Sequence, residues 1–277
     1  MIPAAFDYHR PASVAEAVRL IGQLGEDARV LAGGHSLIPM MKLRMASVEH
    51  LIDLRGLAEL KGIAVEGEAV RIGAMTTQAE LIEHEGLARA CPLIREAALQ
   101  IADPQVRAMG TVGGNVANGD PGNDMPGLMQ CLDAAFAVTG PEGTREVAAR
   151  DFYLGAYETA RDDGEILTEI RLSATPRGTG HAYEKQKRKI GDYATAAAAV
   201  LTGPSGAAIA MTNLGPTPVY SAEASDALAS GDVEGAVAAM LAAIDPAPDN
   251  RGPVEFKRHV AGVMLRRAIA RAQARAA

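Results

Sequence analysis

The order of apolar and polar residues predicts a helix near the start of the chain. Apolar residues at helical spacing run from Val14 to Ile21 and stop before Gly25, as in an amphipathic helix that ends at a glycine. In the sequence SVAE, the Ser13 hydroxyl can accept the backbone N–H of Glu16 while the Glu16 side chain reaches back, which is the capping-box pattern. The helix is therefore expected to begin at Ser13.

Short apolar runs predict the next strands. A strand at Arg29–Leu31 leads directly into the sequence AGGHS, and Leu51–Leu54 has the composition of a second buried strand. The sequence GIAVEGEAVRIG at 62–73 alternates on both sides of the polar turn EGEA, which is typical of a β-hairpin.

A second capping box and a second hairpin follow. Thr77 and Glu80 have the capping spacing, and the apolar residues beyond them predict one helix over about 87–101. Segments 134–140 and 144–150 flank the turn PEG and predict another hairpin.

A cluster of breaker residues indicates a domain boundary. The strand predicted at 164–172 ends at ATPRGTG, residues 174–180. Beyond it, three strands of an antiparallel sheet are predicted at 181–189, 194–202 and 207–215. The alanines at 196–199 are equally compatible with a helix, because alanine is the strongest helix former.

The chain ends in a predicted helix that Pro253 opens. Its apolar face carries Val260, Val263, Met264 and Ala268. Arginines lie mostly on its other faces, and they are expected to form either a solvated surface or a contact with a partner: Arg258, Arg266, Arg271 and Arg275.

Composition is that of an ordinary water-soluble protein with more than one core. The chain has 277 residues, of which 48% are apolar and 22% charged, and its net charge is −7. General attraction to nucleic acid or to an anionic membrane needs clustered positive charge, so both are disfavoured. The basic run KQKRK at 185–189 is the local exception.

Two cysteines are too few for a cluster or a structural zinc site. Cys91 and Cys131 are far apart in sequence, whereas iron–sulfur clusters and structural zinc usually take four ligands. No bound metal is expected.

The N-terminal sequence lacks the features of a signal peptide, and no apolar stretch reaches the length of a membrane span. We expect a cytoplasmic protein with reduced thiols.

Two pairs of adjacent glycines indicate a phosphate-binding site. AGGHS at 32–36 and TVGGN at 111–115 each follow an apolar run and precede side-chain donors. Glycine allows positive φ, which turns backbone N–H groups toward one concavity. Each pair alone would be interpreted as a plain tight turn, but two pairs suit the two phosphoryl groups of a diphosphate. The Rossmann and P-loop fingerprints do not fit the chain.

Longer motifs resemble a known family. FDYHRP near the start, IADPQVRAMGTVGGNVANGDPGNDMP in the middle and YEKQKRKIGDYATAAAA later are similar to the FAD-binding medium subunits of the molybdenum hydroxylases. Within that family they are most similar to the medium chains of the aerobic carbon monoxide dehydrogenases. The resemblance runs from residue 2 to about 275.

The resemblance implies an α+β protein with a PCMH-type FAD-binding fold and a C-terminal α/β domain of antiparallel sheet and helices. The FAD-binding domain would cover 1–176, in α/β subdomains of about 1–55 and 56–176, and the flavoprotein C-terminal domain would cover 177–277. FAD would lie between the subdomains, with the two glycine segments around its diphosphate.

The same resemblance implies a set of FAD-binding residues. Asn118 and Asp124 match positions near the sugar hydroxyls, and Lys185, Asp192 and Tyr193 match the segment near the isoalloxazine, where a lysine can favour the reduced anion. A surface lysine is the alternative for Lys185. The full set is Leu31, Ala32, Gly33, Gly34, His35, Ser36, Leu37, Thr111, Gly113, Gly114, Asn115, Asn118, Asp124, Leu167, Lys185, Asp192 and Tyr193.

Two further expectations concern the surroundings of the flavin. A histidine in a GGHS-like loop carries flavin covalently in related oxidases, whereas the molybdenum-hydroxylase subunits bind FAD without a covalent bond, and we favour non-covalent binding at His35. Residues 120–124 are expected to form an ordered turn near the flavin, before a helix that begins near Pro126. A surface loop is the alternative.

The expected function is electron transfer, and no catalytic residue is assigned in this chain. A small subunit with 2Fe–2S clusters and a large molybdenum–pterin subunit would complete a dimer of heterotrimers. Electrons would leave FAD for an external acceptor, quinone rather than NAD, in the cytoplasm or at the inner face of the membrane through partners. The alternatives are a stand-alone flavin oxidase or dehydrogenase, a medium subunit serving an aldehyde or N-heterocycle hydroxylase, and a non-catalytic nucleotide-binding module.

Overall fold

The computed structural model describes residues 1–276 and contains both helices and sheets, as expected. Its first part is a three-stranded parallel sheet in the order β1-β3-β2. The elements of this part are β1 (Asp7–His9), α1 (Val14–Leu24), β2 (Ala28–Leu31), α2 (Leu37–Lys42) and β3 (His50–Asp53).

Helix α1 begins and ends as the sequence predicts. The Ser13 hydroxyl accepts the Glu16 N–H, and the helix stops at Gly25, which has a φ of 57°. The Glu16 carboxylate accepts the N–H of Ala12, at 2.7 Å, rather than that of Ser13. The buried face of α1 packs on the small sheet.

The second part is a five-stranded antiparallel sheet in the order β4-β5-β10-β6-β7, with helices on one side. Both predicted hairpins and the predicted strand before the breaker cluster are present. The elements are β4 (Ile63–Glu66), β5 (Ala69–Gly73), α3 (Gln78–Glu83), α4 (Glu85–Ala90), α5 (Pro92–Ala98), α6 (Pro104–Arg107), α7 (Val112–Ala117), α8 (Asp124–Cys131), β6 (Ala135–Gly140), β7 (Gly143–Ala148), β8 (Tyr153–Gly155), β9 (Glu158–Thr159) and β10 (Ile166–Ser173).

The prediction of one helix over 87–101 was wrong. Two helices, α4 and α5, meet at Cys91. Pro92 occupies the first position of α5, where a residue without an N–H is tolerated but the preceding helix cannot continue. Helix α5 ends at Ala98, and the capping box at Thr77 begins the separate helix α3.

The third part is a four-stranded antiparallel sheet covered by helices. Its strand order is β11-β12-β13-β14, and the strands β11 (Gly180–Gln186), β12 (Ala196–Gly203), β13 (Gly206–Thr212) and β14 (Val219–Tyr220) are followed by the helices α9 (Ala222–Ala229), α10 (Val233–Ala243) and α11 (Val254–Ala276).

The alanines at 196–199 are therefore strand, and the helical alternative was wrong. Strand β12 is buried on both faces: Ala197 and Ala199 face the core of the second part, whereas Ala196 and Ala198 face α9–α11. Small side chains let helices approach both faces of the sheet closely, which decides the conformation over the helical propensity of alanine.

Three of the four arginines of α11, Arg266, Arg271 and Arg275, are exposed as a solvated face would be, and they also form ion pairs within this chain. Arg258 donates to the main-chain carbonyls of Leu241 and Ile244, both at 2.8 Å. Arg266 pairs with Glu234, and Arg271 and Arg275 both pair with Glu96 of α5. The last two pairs tie α11 to the second part of the molecule. No helix within residues 1–276 combines the length and the apolar character that a membrane crossing requires.

Candidate cofactor-binding site

A cavity of about 1010 Å³ lies between the small parallel sheet and the rest of the molecule. Ligand-binding cavities in proteins usually measure about 300–1,000 Å³, so this one is suited to a large ligand. All seventeen residues predicted to bind FAD line it. Their individual contacts with FAD stay predictions.

The first glycine segment forms a loop with free N–H donors. Gly34 has a φ of 79°, as a glycine in a turn of this kind can adopt. Within residues 1–276, the backbone N–H groups from Gly33 to Ser36 donate no hydrogen bond. His35 and Ser36 are exposed at the cavity wall. Successive unpaired N–H groups of this kind form an anion-binding nest, which suits a phosphate.

The second glycine segment differs from the loop that the sequence predicted. Thr111 caps helix α7, and Gly113 and Gly114 lie in its first turn without positive φ. The N–H of Gly113 donates to the Ala74 carbonyl at 2.9 Å, and that of Gly114 donates to the Thr111 hydroxyl at 3.1 Å. These donors are occupied, so the expectation that this segment offers the same cradle of N–H groups was wrong.

Close packing explains the glycines of the second segment instead. A Cβ built on Gly113 would lie 2.5 Å from the Ala74 Cβ, closer than two carbon atoms can approach. A Cβ on Gly114 would lie 3.2 Å from the Ala32 Cβ. The two glycine segments are therefore in contact across the cavity wall.

Gly33 of the first glycine segment also has no room for a side chain. A Cβ at this position would lie 2.4 Å from the Met109 carbonyl oxygen and 2.8 Å from the Cα of Gly110. Because both atoms are backbone, a side-chain rotation cannot relieve the overlap. The first loop keeps its place only if residue 33 has no side chain.

Asp124 and Lys185 form a buried ion pair in the cavity wall. The Lys185 Nζ lies 2.7 Å from Asp124 Oδ2, and the two side chains are 1% and 6% exposed. The Tyr183 hydroxyl donates to Asp124 Oδ1 at 2.5 Å. Burial, reinforced by the Asp124 charge, raises the pKa of Tyr183 well above its ordinary value, so this tyrosine stays a neutral donor. The surface-lysine alternative for Lys185 was wrong.

The charge near the expected flavin edge is consequently more balanced than the sequence suggested. Lys185 is neutralised by Asp124, and Lys187 donates to the Gln100 carbonyl at 3.2 Å. Burial and the neighbouring Lys185 charge lower the pKa of Lys187.

Residues 120–124 form an ordered turn. The N–H of Gly122 donates to the Asp120 carboxylate at 2.9 Å, and that of Asn123 donates to the Asp120 carbonyl at 3.0 Å. Helix α8 begins at Asp124, two residues before the predicted start. The Tyr193 ring lies against this turn, because a Cβ on Gly122 would lie 2.9 Å from it. Burial, with the charge of Asp120 next in size, raises the pKa of Tyr193 to about 12.

The structure adds cavity residues that the sequence did not single out. Gln78 and Asn123 lie in the wall, as do residues 161 and 163–166. Glu165 holds this last segment in place, since Arg145 donates to both of its carboxylate oxygens at 2.7 Å. Within residues 1–276, no group of three or more histidine, cysteine or carboxylate side chains is arranged to hold a metal ion.

Two protein families match the chain in tandem. The family described as the FAD binding domain in molybdopterin dehydrogenase matches residues 4–174. The family described as the CO dehydrogenase flavoprotein C-terminal domain matches residues 181–272.

Known proteins resemble the chain over its whole length. The carbon monoxide dehydrogenase medium chain of Afipia carboxidovorans is 59% identical, covering 100% of this chain and 99% of the relative. A chain of the carbon monoxide dehydrogenase of Hydrogenophaga pseudoflava, solved without the molybdenum–pyranopterin moiety of its cofactor, superposes with a TM-score of 0.97 at 49% identity, covering 100% of both chains. A chain of quinoline 2-oxidoreductase from Pseudomonas putida 86 superposes with a TM-score of 0.93 at 28% identity, covering 100% of this chain and 99% of that one.

Proposed function

Since the chain belongs to the family of FAD-binding chains of the molybdopterin dehydrogenases, we propose that it is the medium chain of an aerobic carbon monoxide dehydrogenase. It is an oxidoreductase subunit that binds FAD and transfers electrons within a molybdenum hydroxylase complex. The observation that carries the proposal is the tandem family match together with 59% identity over the full length of a carbon monoxide dehydrogenase medium chain.

The cavity fits FAD on its own chemistry. The unpaired N–H groups from Gly33 to Ser36 suit the diphosphate. Asn115 Oδ1 is buried in the wall without a hydrogen-bond donor among residues 1–276, and a sugar hydroxyl would supply one. The predicted residues would therefore hold FAD by its diphosphate and its sugar hydroxyls, with Lys185, Asp192 and Tyr193 near the isoalloxazine, and without a covalent bond to His35.

The proposal includes the division into domains. The FAD-binding domain would cover 1–176, in subdomains of about 1–55 and 56–176, and the C-terminal flavoprotein domain would cover 177–277. The loop between the end of β10 at Ser173 and the start of β11 at Gly180 supports this boundary. Lys185 of the second domain would bind Asp124 of the first and keep the two closed around FAD.

The function proposed for the chain is to hold FAD between two redox partners. A large subunit would oxidise carbon monoxide with water to carbon dioxide, two protons and two electrons, and the clusters of a small subunit would carry the electrons onward. FAD, when bound, accepts electrons singly and can release them singly or in pairs. The residues of this chain bind and orient the cofactor, and the Asp124–Lys185 pair keeps the charge of the wall balanced.

The finer details of assembly are part of the same proposal. The complex would be a dimer of heterotrimers, and quinone would be the acceptor. The location would be the cytoplasm or, through partners, the inner face of the membrane. Cys91 and Cys131 are buried and unbridged, which is compatible with a reducing compartment. Burial raises the pKa of Cys131 to about 12, so this thiol is unreactive.

Purification of the native complex tests the proposal. The chain should co-purify with a small iron–sulfur subunit and a large molybdenum subunit, at one FAD for each medium chain. Isolation as a lone flavoprotein that reduces its FAD with its own organic substrate would contradict the proposal and support the stand-alone oxidase.

A further inference from the structure

Gln78 is a buried side chain in the cavity wall with both ends of its carboxamide unpaired. It is 2% exposed, and neither Nε2 nor Oε1 has a hydrogen-bond partner among residues 1–276. Leaving a buried polar group unpaired costs free energy, and native proteins contain few such groups. Gln78 therefore needs an explanation that the fold alone does not provide.

The backbone of Gln78 is fixed at the junction of the two glycine segments. Its N–H donates to the Gly110 carbonyl at 2.9 Å, and the preceding Thr77 pairs with Thr111 in an isolated β-bridge. Gly110 in turn packs against Gly33. Gln78 is thus a residue of the cavity wall whose backbone is fixed next to the first loop.

The chemistry of a carboxamide restricts what can pair with it. Nε2 donates and Oε1 accepts. A phosphate oxygen only accepts and would leave Oε1 unpaired, whereas a hydroxyl group both donates and accepts. FAD carries hydroxyls on both sides of its diphosphate, on the ribityl chain and on the adenosine ribose.

We propose that Gln78 is a cofactor-binding residue whose carboxamide pairs with a sugar hydroxyl next to the diphosphate of FAD. This inference rests on the proposed function and deepens it. Gln78 would turn its amide toward the bound cofactor and favour one that carries this sugar hydroxyl, while the N–H groups of the first loop bind the phosphates. The free chain carries the cost of the unpaired amide until FAD binds.

A methionine substitution separates this role from a structural one. In the FAD-free full-length chain, Gln78→Met removes two unpaired groups at similar volume, so the urea midpoint of unfolding should rise. FAD affinity should fall about tenfold, because each hydrogen bond lost contributes a modest net free energy. A structural glutamine would instead lower the stability of the free chain on substitution.

Gln130 offers a matched control. It is also buried and has an unpaired Oε1, but its Nε2 donates to the Ala149 carbonyl at 3.3 Å, and it does not line the cavity. Gln130→Met should leave the dissociation constant for FAD unchanged. Titrations with FMN and with ADP distinguish the two hydroxyl sources: weaker FMN binding by Gln78→Met identifies the ribityl chain, and weaker ADP binding identifies the ribose.

The outcomes separate the inference from the proposed function. If the unsubstituted chain binds FAD and Gln78→Met binds it equally well, the inference is wrong and the function stands. A Gln78→Met chain that is less stable than the unsubstituted chain, or unfolded, would also overturn it. Failure of the unsubstituted chain to bind FAD would overturn both.

Discussion

Lys185 on strand β11 and Asp124 at the start of helix α8 place their charged atoms 2.7 Å apart in the cavity wall. The two residues are separated by 61 positions in sequence and belong to different parts of the fold. Asp124 also accepts the Tyr183 hydroxyl, so one carboxylate receives two donors from β11. The pair therefore links the cofactor cavity to the C-terminal sheet.

Removing one member of this pair should destabilise the protein more than removing both. Lys185→Met leaves a buried carboxylate without its cation, and we expect a loss of about 3 kcal/mol in the free energy of unfolding. The double variant Lys185→Met, Asp124→Asn should recover part of that loss. Urea unfolding of the FAD-free chain, with the single variant Asp124→Asn completing the cycle, measures the coupling, and a loss in the double variant equal to the sum of the two single losses would show that the pair is not coupled.

Gly33 should be required for the fold of the cavity and not only for ligand approach. Gly33→Ala places a Cβ against the backbone of Met109 and Gly110, and overpacking of this kind costs about 1–3 kcal/mol. Thermal unfolding of the FAD-free chain should show the loss. Gly56→Ala is the control, because a Cβ there meets no atom within 4 Å. A Gly33→Ala chain as stable as the control variant would contradict the packing argument.

The Arg145–Glu165 pair should make the cavity wall sensitive to acid. Hydrogen bonds from Arg145 hold the pKa of Glu165 below its ordinary value. The resulting stabilisation is present above the pKa of the unfolded chain, about 4.3, and is lost as the pH falls through the lower folded pKa. Glu165→Gln should reduce stability at pH 7 and flatten the loss of stability as the pH falls below about 4.3.

Chemical unfolding across this pH range measures the effect. Glu142→Gln removes the same charge from an exposed turn and should keep the acid dependence of the unsubstituted chain. If the free energy of unfolding fell with pH in parallel for the unsubstituted chain and Glu165→Gln, the Arg145–Glu165 pair would make no contribution to the acid sensitivity.

FAD should be bound without a covalent bond. His35 is exposed at the cavity wall, and a side-chain contact is expected there rather than an attachment. Acid precipitation should release all FAD into the supernatant, and His35→Ala should weaken binding without changing the fraction released. Yellow colour in the pellet of the unsubstituted chain, lost in His35→Ala, would establish covalent attachment.

Local patterns predicted most of the elements correctly, because the responsible signals are local. The Ser13 and Thr77 caps, the glycine end at Gly25 and both hairpins depend on residues within a few positions of one another. The break at Pro92 was missed, although the sequence indicates it, since proline rarely continues a helix. Several short elements were not predicted: β1, α2, α6, α7, β8, β9 and β14. Helices α9 and α10 were not predicted either, because their alanine-rich segments gave no distinct apolar period.

The structure brings the predicted residues to one cavity, but the chemistry of the cavity wall could not be predicted from the sequence. Family resemblance supplied residues that line one cavity, whereas the occupied donors of Gly113 and the neutralised charge of Lys185 depend on Ala74 and Asp124, which are distant in sequence. Gln78 carries no sequence signal, because its surroundings include residues distant in sequence, such as Gly110, whose carbonyl accepts the Gln78 N–H. Tertiary contacts decide these properties.

Anaerobic mixing with carbon monoxide tests the central claim, that this chain receives its electrons from partner subunits, most directly. Stopped-flow absorbance should show bleaching of the flavin together with the iron–sulfur clusters in the intact complex, because the electrons reach FAD through the clusters. The isolated, FAD-loaded chain should stay oxidised under the same conditions. Rapid bleaching of the isolated chain by carbon monoxide, or a flavin that stays oxidised while the clusters of the complex are reduced, would contradict the account.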